Sequence, residues 1–209
     1  MAASLDLTTA TLVKGEVDPS GAFSTTYDVL IGNLITGVSD RIERLCGRKF
    51  LEAARTEYYD GSGRERLVLR QGPLVSVTSV SSVVYIDSGG GSRGETLTAI
   101  DESERIEDGL RADGCVCAGS VRLLSGRFLE GRLNYKVVYT AGFATATAGL
   151  PESLVEIATV AVIQAFNNRD TWGLVSKTVG SSDWSPVPLA NLDSWLMRSV
   201  GPWSLPAVA

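Results

Sequence analysis

An α+β fold, with a small helical core carrying an inserted antiparallel β module, follows from three patterns in the 209-residue sequence. Apolar residues recur three or four apart between Leu30 and Leu45, alternate with polar ones through the middle third, and return to helical spacing after Pro151. Neither of the two apolar helices that bracket the strand-rich block can bury its surface alone. They are therefore expected to pack on each other, with the β block inserted between two partners of one core. The organisation read from this is an N-terminal arm (1–23), a helical core (24–50 and 150–200), an inserted β module (51–149) and a C-terminal tail (201–209).

In chain order, residues 1–22 carry few large apolar side chains and include the turn signal Asp18-Pro19-Ser20-Gly21, so they read as an arm ordered only by a neighbour. The first core helix, about 24–46, sets Leu30, Leu34, Val38, Ile42 and Leu45 on one stripe, widened by Ile31 and Ile35. Ser24 or Thr25 is its expected N-cap, and Gly47 sits where a left-handed C-terminal cap belongs. Arg66–Arg70 alternates, as does Leu133–Tyr139, which puts Leu133, Tyr135, Val137 and Tyr139 on one face. Residues 75–86 are rich in β-branched side chains, and Val121–Leu124 is a further short strand. With turns at Asp60-Gly61-Ser62-Gly63, Asp113-Gly114 and Ser125-Gly126, the module is expected to hold about five to seven strands.

Residues 87–94 (DSGGGSRG) read as a flexible tip, and the acids from Asp101 to Asp108 as a solvated charged loop. The second core helix, about 151–167, opens on Pro151 and Glu152 and is apolar on nearly every face, which makes it the central one. A polar segment with strand potential (Leu174–Trp184) leads to a last amphipathic helix, about 189–200, carrying Leu189, Leu192, Trp195 and Leu196.

Composition narrows the function. Hydrophobic residues at 44% and charged residues at 21% suit an ordinary globular protein. The first residues lack the basic region and apolar core of a signal peptide, and no apolar run is long enough to span a bilayer, so synthesis in the cytoplasm is expected. A net charge of −5 argues against a dedicated nucleic-acid binder. With no histidine at all, serine–histidine and cysteine–histidine hydrolases and histidine-ligated zinc enzymes are excluded. Cys115 and Cys117 would share a strand face but lack further zinc ligands, and read as small apolar residues.

Residues 140–154, TAGFATATAGLPESL, place glycines before a helix, as phosphate loops do. No lysine follows, neither phosphate-loop spacing is present, and Pro151 removes one N–H, so the stretch reads as a hinge. Glu57 and Tyr59 alternate with Tyr58 and Asp60 as on a strand entering a turn, not as converging carboxylates. No catalytic, cofactor-binding or metal-ligating residue is assigned. Trp184, Trp195 and Trp203 cluster near the proline-flanked C-terminus, where tryptophans suit anchoring into a partner; Trp195 fits core packing better and Trp203 partner contact.

The stretches LITGVSDRIERLCGRKF (34–50), TEYYDGSGRERLVLRQGPLVSVTSV (56–80), LLSGRFLEGRLNYKVVYTAGF (123–143), LPESLVEIATVAVIQAFNNRD (150–170) and SKTVGSSDWS (176–185) occur in that order. Together they resemble the head-to-tail adaptor (head completion, connector) proteins of long-tailed bacteriophages. The N-terminal arm, an insertion around 81–118 and the extra tail depart from that pattern. The resemblance implies a non-enzymatic virion protein of the neck, without cofactor or membrane contact. Such proteins form a ring, generally of twelve subunits, beneath the portal. They join the portal to a stopper or tail-completion protein, and DNA passes through the bore without sequence-specific binding.

The resemblance also implies that the C-terminal segment docks on the portal, which here would use Trp184, Leu192, Trp195, Leu196 and Trp203. Within a ring, the arginine-rich strand (Arg64, Arg66, Arg70) is expected to meet a neighbour's acidic loop (Glu104, Glu107). An acidic channel wall would also let the duplex slide. Two other readings are weighed beside this one: a carboxylate-dependent hydrolase or nuclease, and a β-rich ligand- or receptor-binding module of a virion.

Overall fold

A computed structural model describes residues 6–22, 25–87, 93–110, 118–169, 177–179, 182–184 and 189–204. Cys115 and Cys117, Ser24 and most of the glycine run lie outside the described residues. The elements follow as α1 (Ala10–Val17), α2 (Asp28–Cys46), β1 (Ala53–Gly61), β2 (Arg66–Val68), β3 (Leu74–Asp87), β4 (Arg93–Ile100), β5 (Arg105–Asp108), β6 (Ser120–Leu123), β7 (Gly131–Ala141), α3 (Glu152–Asn167), β8 (Lys177–Val179), β9 (Ser182–Trp184) and α4 (Leu189–Val200). The mixed α+β class expected from the sequence is the one that forms. The chain divides into a helical unit, Met1–Phe50 with Ala146–Leu205, and a β unit built on Leu51–Thr145.

In the helical unit α2 packs on α3, and α4 and α1 pack on both. Ile31, Ile35, Val38, Ile42 and Cys46 are the buried apolar residues of α2, joined by Ser39 and Glu43, while Leu30, Leu34 and Leu45 lie at the margin of its stripe. The helix begins later than the sequence suggests. Its N-cap position is Tyr27, with no side-chain cap, and Thr25 contributes only a backbone carbonyl to the Asp28 N–H. Its end is as expected: Gly47 adopts φ 64° and directs its N–H back to the last turn, a conformation that costs a glycine little.

Residues 6–22 are not merely an arm, for they contribute α1 and two wholly buried side chains, Leu7 and Val13. The Leu7 N–H donates to Ser39 Oγ on α2, and the hydroxyls of Thr8 and Thr159 lie 2.6 Å apart. The arm reading failed because two apolar residues suffice here, given polar neighbours that bond to the core helices.

The β unit holds two antiparallel sheets, ordered β1-β7-β3-β4 and β2-β6-β5. Its core gathers Tyr59, Leu69, Val80, Phe128, Val137 and Tyr139, with Phe128 edge-on to Tyr135 at 4.9 Å. Tyr135, Val137 and Tyr139 share the inward face of β7 as the alternation predicts. Leu133 leaves that face: it has φ 51° and is 40% exposed. Its N–H donates to Asp60 Oδ1, and the Asn134 amide bridges the Gly61 N–H and the Leu129 carbonyl, which together hold the turn. The acids at 101–108 do not form a loop throughout, since β5 occupies 105–108 as an edge strand.

The stretch that returns the chain from β7 toward α3 spends its backbone polar groups internally. Gly142 donates to the Pro73 carbonyl at 3.0 Å, and the Glu52 N–H donates to the Ala144 carbonyl at 2.8 Å. Gly142 has φ 143°, and a Cβ there would lie 2.4 Å from Glu52 Cα. Replacing Gly142 by alanine combines a φ rare for L-residues with a backbone clash, and is expected to cost about 2–3 kcal/mol or more. Chemical denaturation of Gly142→Ala checks this; a loss below half a unit on that scale would mean the strand end relaxes freely.

Candidate interaction site

The first candidate surface grows from the end of α2. Glu43 is almost wholly buried; its carboxylate accepts from Lys49 Nζ at 2.5 Å and from the Phe50 N–H at 3.4 Å. Arg48, 4% exposed, donates from Nη1 to the Trp203 carbonyl at 3.3 Å, and its guanidinium lies 5.6 Å from the Phe50 ring centre. Burial lowers this guanidinium to about 10, with Cys46 opposing the shift. The same burial raises the Cys46 thiol to about 11, against the pull of Arg48 and with a smaller push from Glu43. Both groups thus keep their neutral-pH states, thiol and cation, inside the helical unit.

This arrangement decides the fate of the C-terminal residues. Leu192, Leu196 and Val200 are buried, so α4 turns them into its own unit rather than toward a partner. Leu192 and Leu196, expected at the portal contact, thus lie in packing within their own unit, where the amphipathic stripe has a core to fill. Trp195 and Trp203 remain half-buried, and Met197 on α4 is 59% exposed. Trp184 ends β9 in a two-stranded hairpin; its side chain lies outside the described features.

The second candidate surface was not legible as a site. A cavity of about 720 Å³ opens on the helical unit between α1, α3 and the turn at Thr147–Gly149. Its apolar floor includes Leu12, Val155 and Ile163, and its rim carries Glu16, Glu152 and Glu156. Leu12 is 48% exposed, while Val155, Val160 and Ile163 are only half-buried. The one sequence signal for it is the apolar character of α3 on nearly every face, which exceeds what α2, α4 and α1 cover.

On the β unit, Arg64, Arg66 and Arg70 are exposed, as is Glu104. Arg70 lies over the Tyr59 ring at 4.9 Å, and Arg66 Nε donates to Ser120 Oγ at 2.7 Å. Glu107 is already engaged within the chain: it accepts from the Val77 N–H at 3.3 Å and lies 3.7 Å from Arg105 Nε. It therefore holds β3 and β5 together and is poorly placed to serve a neighbour. The carboxylates considered for hydrolysis diverge. Glu57 accepts from both Tyr59 and Tyr139, whose hydroxyls are pushed above the ordinary tyrosine value chiefly by burial, whereas Asp60 turns outward to Leu133. Among the described residues no group of three or more carboxylates or thiols is set to hold a metal.

No protein-family model and no curated protein matches the chain. Its fold recurs in phage-like particles. It is similar to a chain in the neck of a native gene transfer agent particle computed with C12 symmetry, with a TM-score of 0.55 and 15% identity over 94% of this chain and 93% of that one. It is also similar to a chain in the neck of an empty particle computed with C6 symmetry (TM-score 0.53, 16% identity, 88% and 82% covered). A third likeness is to a chain in the virion of the native particle (TM-score 0.54, 14% identity, 87% and 80% covered). At this identity the likeness is one of fold.

Removing the Arg48 side chain leaves the Trp203 carbonyl without its charged donor and opens a gap beside Phe50. Arg48→Ala is expected to lower stability by about 2–3 kcal/mol, and Arg44→Ala, at an exposed pair, by no more than about 0.5 kcal/mol. Urea midpoints of the two variants check this; equal shifts would mean that the buried guanidinium contributes nothing special.

Proposed function

We propose that this chain is a structural subunit of the neck of a phage-like particle: a head-to-tail adaptor that forms a ring under the portal, joins it to the stopper or tail, and lines the DNA channel. The observation that carries the reading is agreement in fold over nearly the full length of both chains with a chain in a twelvefold-symmetric neck. The order of the adaptor-like stretches in the sequence supports it independently. The chemistry is compatible, because the chain lacks histidine and its candidate acids are engaged in packing the β unit.

A ring of identical subunits needs two different surfaces per subunit, joined head to tail and closing by rotation. The rigid helical unit and the β unit each offer candidates. Portal docking is proposed for α4 and the turn after it, at Trp195 and Trp203, with Leu192 and Leu196 acting behind them as packing. A net charge of −5 suits a conduit that must not hold DNA phosphates.

The test is negative-stain imaging of the purified protein alone and mixed with the portal protein of the same particle. Twelvefold rings, free or seated on portal, are the expected result. A stable monomer that ignores the portal would contradict the proposal.

A further inference from the structure

Two surfaces of this chain are each incomplete, and each has what the other lacks. The groove on the helical unit is apolar at its floor and lined by Glu16, Glu152 and Glu156 without a single lysine or arginine. None of these three glutamates has an ion-pair partner among the described residues. An exposed leucine beside half-buried valine and isoleucine side chains, gathered under an acidic rim, marks an interaction surface rather than a scatter of surface residues. Carboxylates at such a rim select a basic counterpart.

The outer face of the β2-β6-β5 sheet carries that counterpart. Arg66 stands directly opposite Arg122, and Arg122 opposite Ile106. Like charges directly across a strand pair are destabilising, so this placement gains nothing for the sheet itself. Asp108 answers Arg122 at 3.8 Å, but Arg66 has no carboxylate partner among the described residues. Val68 in β2 and Leu124 just after β6 are 40% and 59% exposed, which supplies apolar contact beside the guanidinium groups. The neighbour expected for Arg66, the acidic stretch at 101–108, lies in part in the same sheet: Glu107 and Asp108 belong to β5 and are already paired there, while Glu104 is exposed outside it.

We infer that the arginine face of the β2-β6-β5 sheet of one copy docks on the glutamate-rimmed groove of a second copy, Arg66 and Arg122 meeting Glu152 and Glu156. The contact is heterologous, so every copy offers one groove and one face, and repetition gives a ring or an open helix according to the angle. This rests on the ring reading above and names the surfaces that build it. Guanidinium groups suit the role, since they are weakly hydrated and fork onto carboxylates.

The test uses two double variants of the full chain, Glu152→Arg with Glu156→Arg and Arg66→Glu with Arg122→Glu, followed by mass photometry with and without portal. Each variant alone presents like charges across the contact, and should need at least about tenfold more protein for half-assembly than the native chain. Mixed one to one, the arginine groove of the first meets the glutamate face of the second, and the reverse, so assembly should return as alternating rings. Circular dichroism melts of the separate variants confirm folding, and recovery on mixing cannot come from misfolded chains. Native-like assembly of either variant alone would overturn the contact, as would failure of the mixture to recover. So would a groove variant that still forms rings but loses the portal, which would give the groove to the portal instead. A native chain that never assembles, even on portal, would overturn the ring reading and the contact with it.

Discussion

Glu43 is almost wholly buried, and a buried carboxylate is costly unless it is paired and hydrogen-bonded. Lys49 and the Phe50 N–H supply both, but only because Gly47 turns the chain back over the end of α2 at φ 64°. The same turn buries Arg48, which reaches the Trp203 carbonyl, and Phe50, which is fully enclosed. Six residues from Glu43 to Arg48 and two beyond them thus fix the last turn of α2 to the segment that follows α4. Much of the rest of the helical unit is apolar packing that many sequences would satisfy, apart from the polar bonds that Leu7 and Thr8 make to α2 and α3. The contact at the end of α2 is specific in geometry and charge, and it holds the backbone at Trp203.

The β unit is held by a different device. Its core contains a polar group of Glu57, Tyr59 and Tyr139, closed by hydrogen bonds and capped by the Arg70 guanidinium over the Tyr59 ring. A network of this kind is satisfied only in one register of β1 against β7, because a slip by one residue would turn Glu57 and Tyr59 outward. Gly142 then lets the chain pass close to Glu52 as it leaves the sheet.

Much of this was legible in the sequence. The helix at 151–167, the glycine cap at 47 and the alternation of Tyr135, Val137 and Tyr139 are local patterns, and each formed as read. What escaped was non-local. Helix α1 exists because Leu7 and Val13 find cover on α2 and α3, which no count of apolar residues in 1–22 reveals. Strand β5 takes in the last two acids of a run that local propensity assigns to solvent, Glu107 and Asp108, which pair with Arg105 and Arg122 of the same sheet. The glutamate-rimmed groove has only one trace in the sequence, a helix too apolar for its neighbours to cover. For the C-terminal residues, helical spacing alone could not separate those that fill the core from those that face outward.

The proposed role makes the chain a stoichiometric ring component of a phage-like neck. Quantitative mass spectrometry of purified particles, measuring copies of this chain against copies of the portal protein, tests that most directly. One ring in a twelvefold neck predicts about twelve copies per particle, a one-to-one ratio if the portal is also twelvefold. Absence from intact particles, or a copy number in the hundreds as for a shell or tube protein, would contradict it.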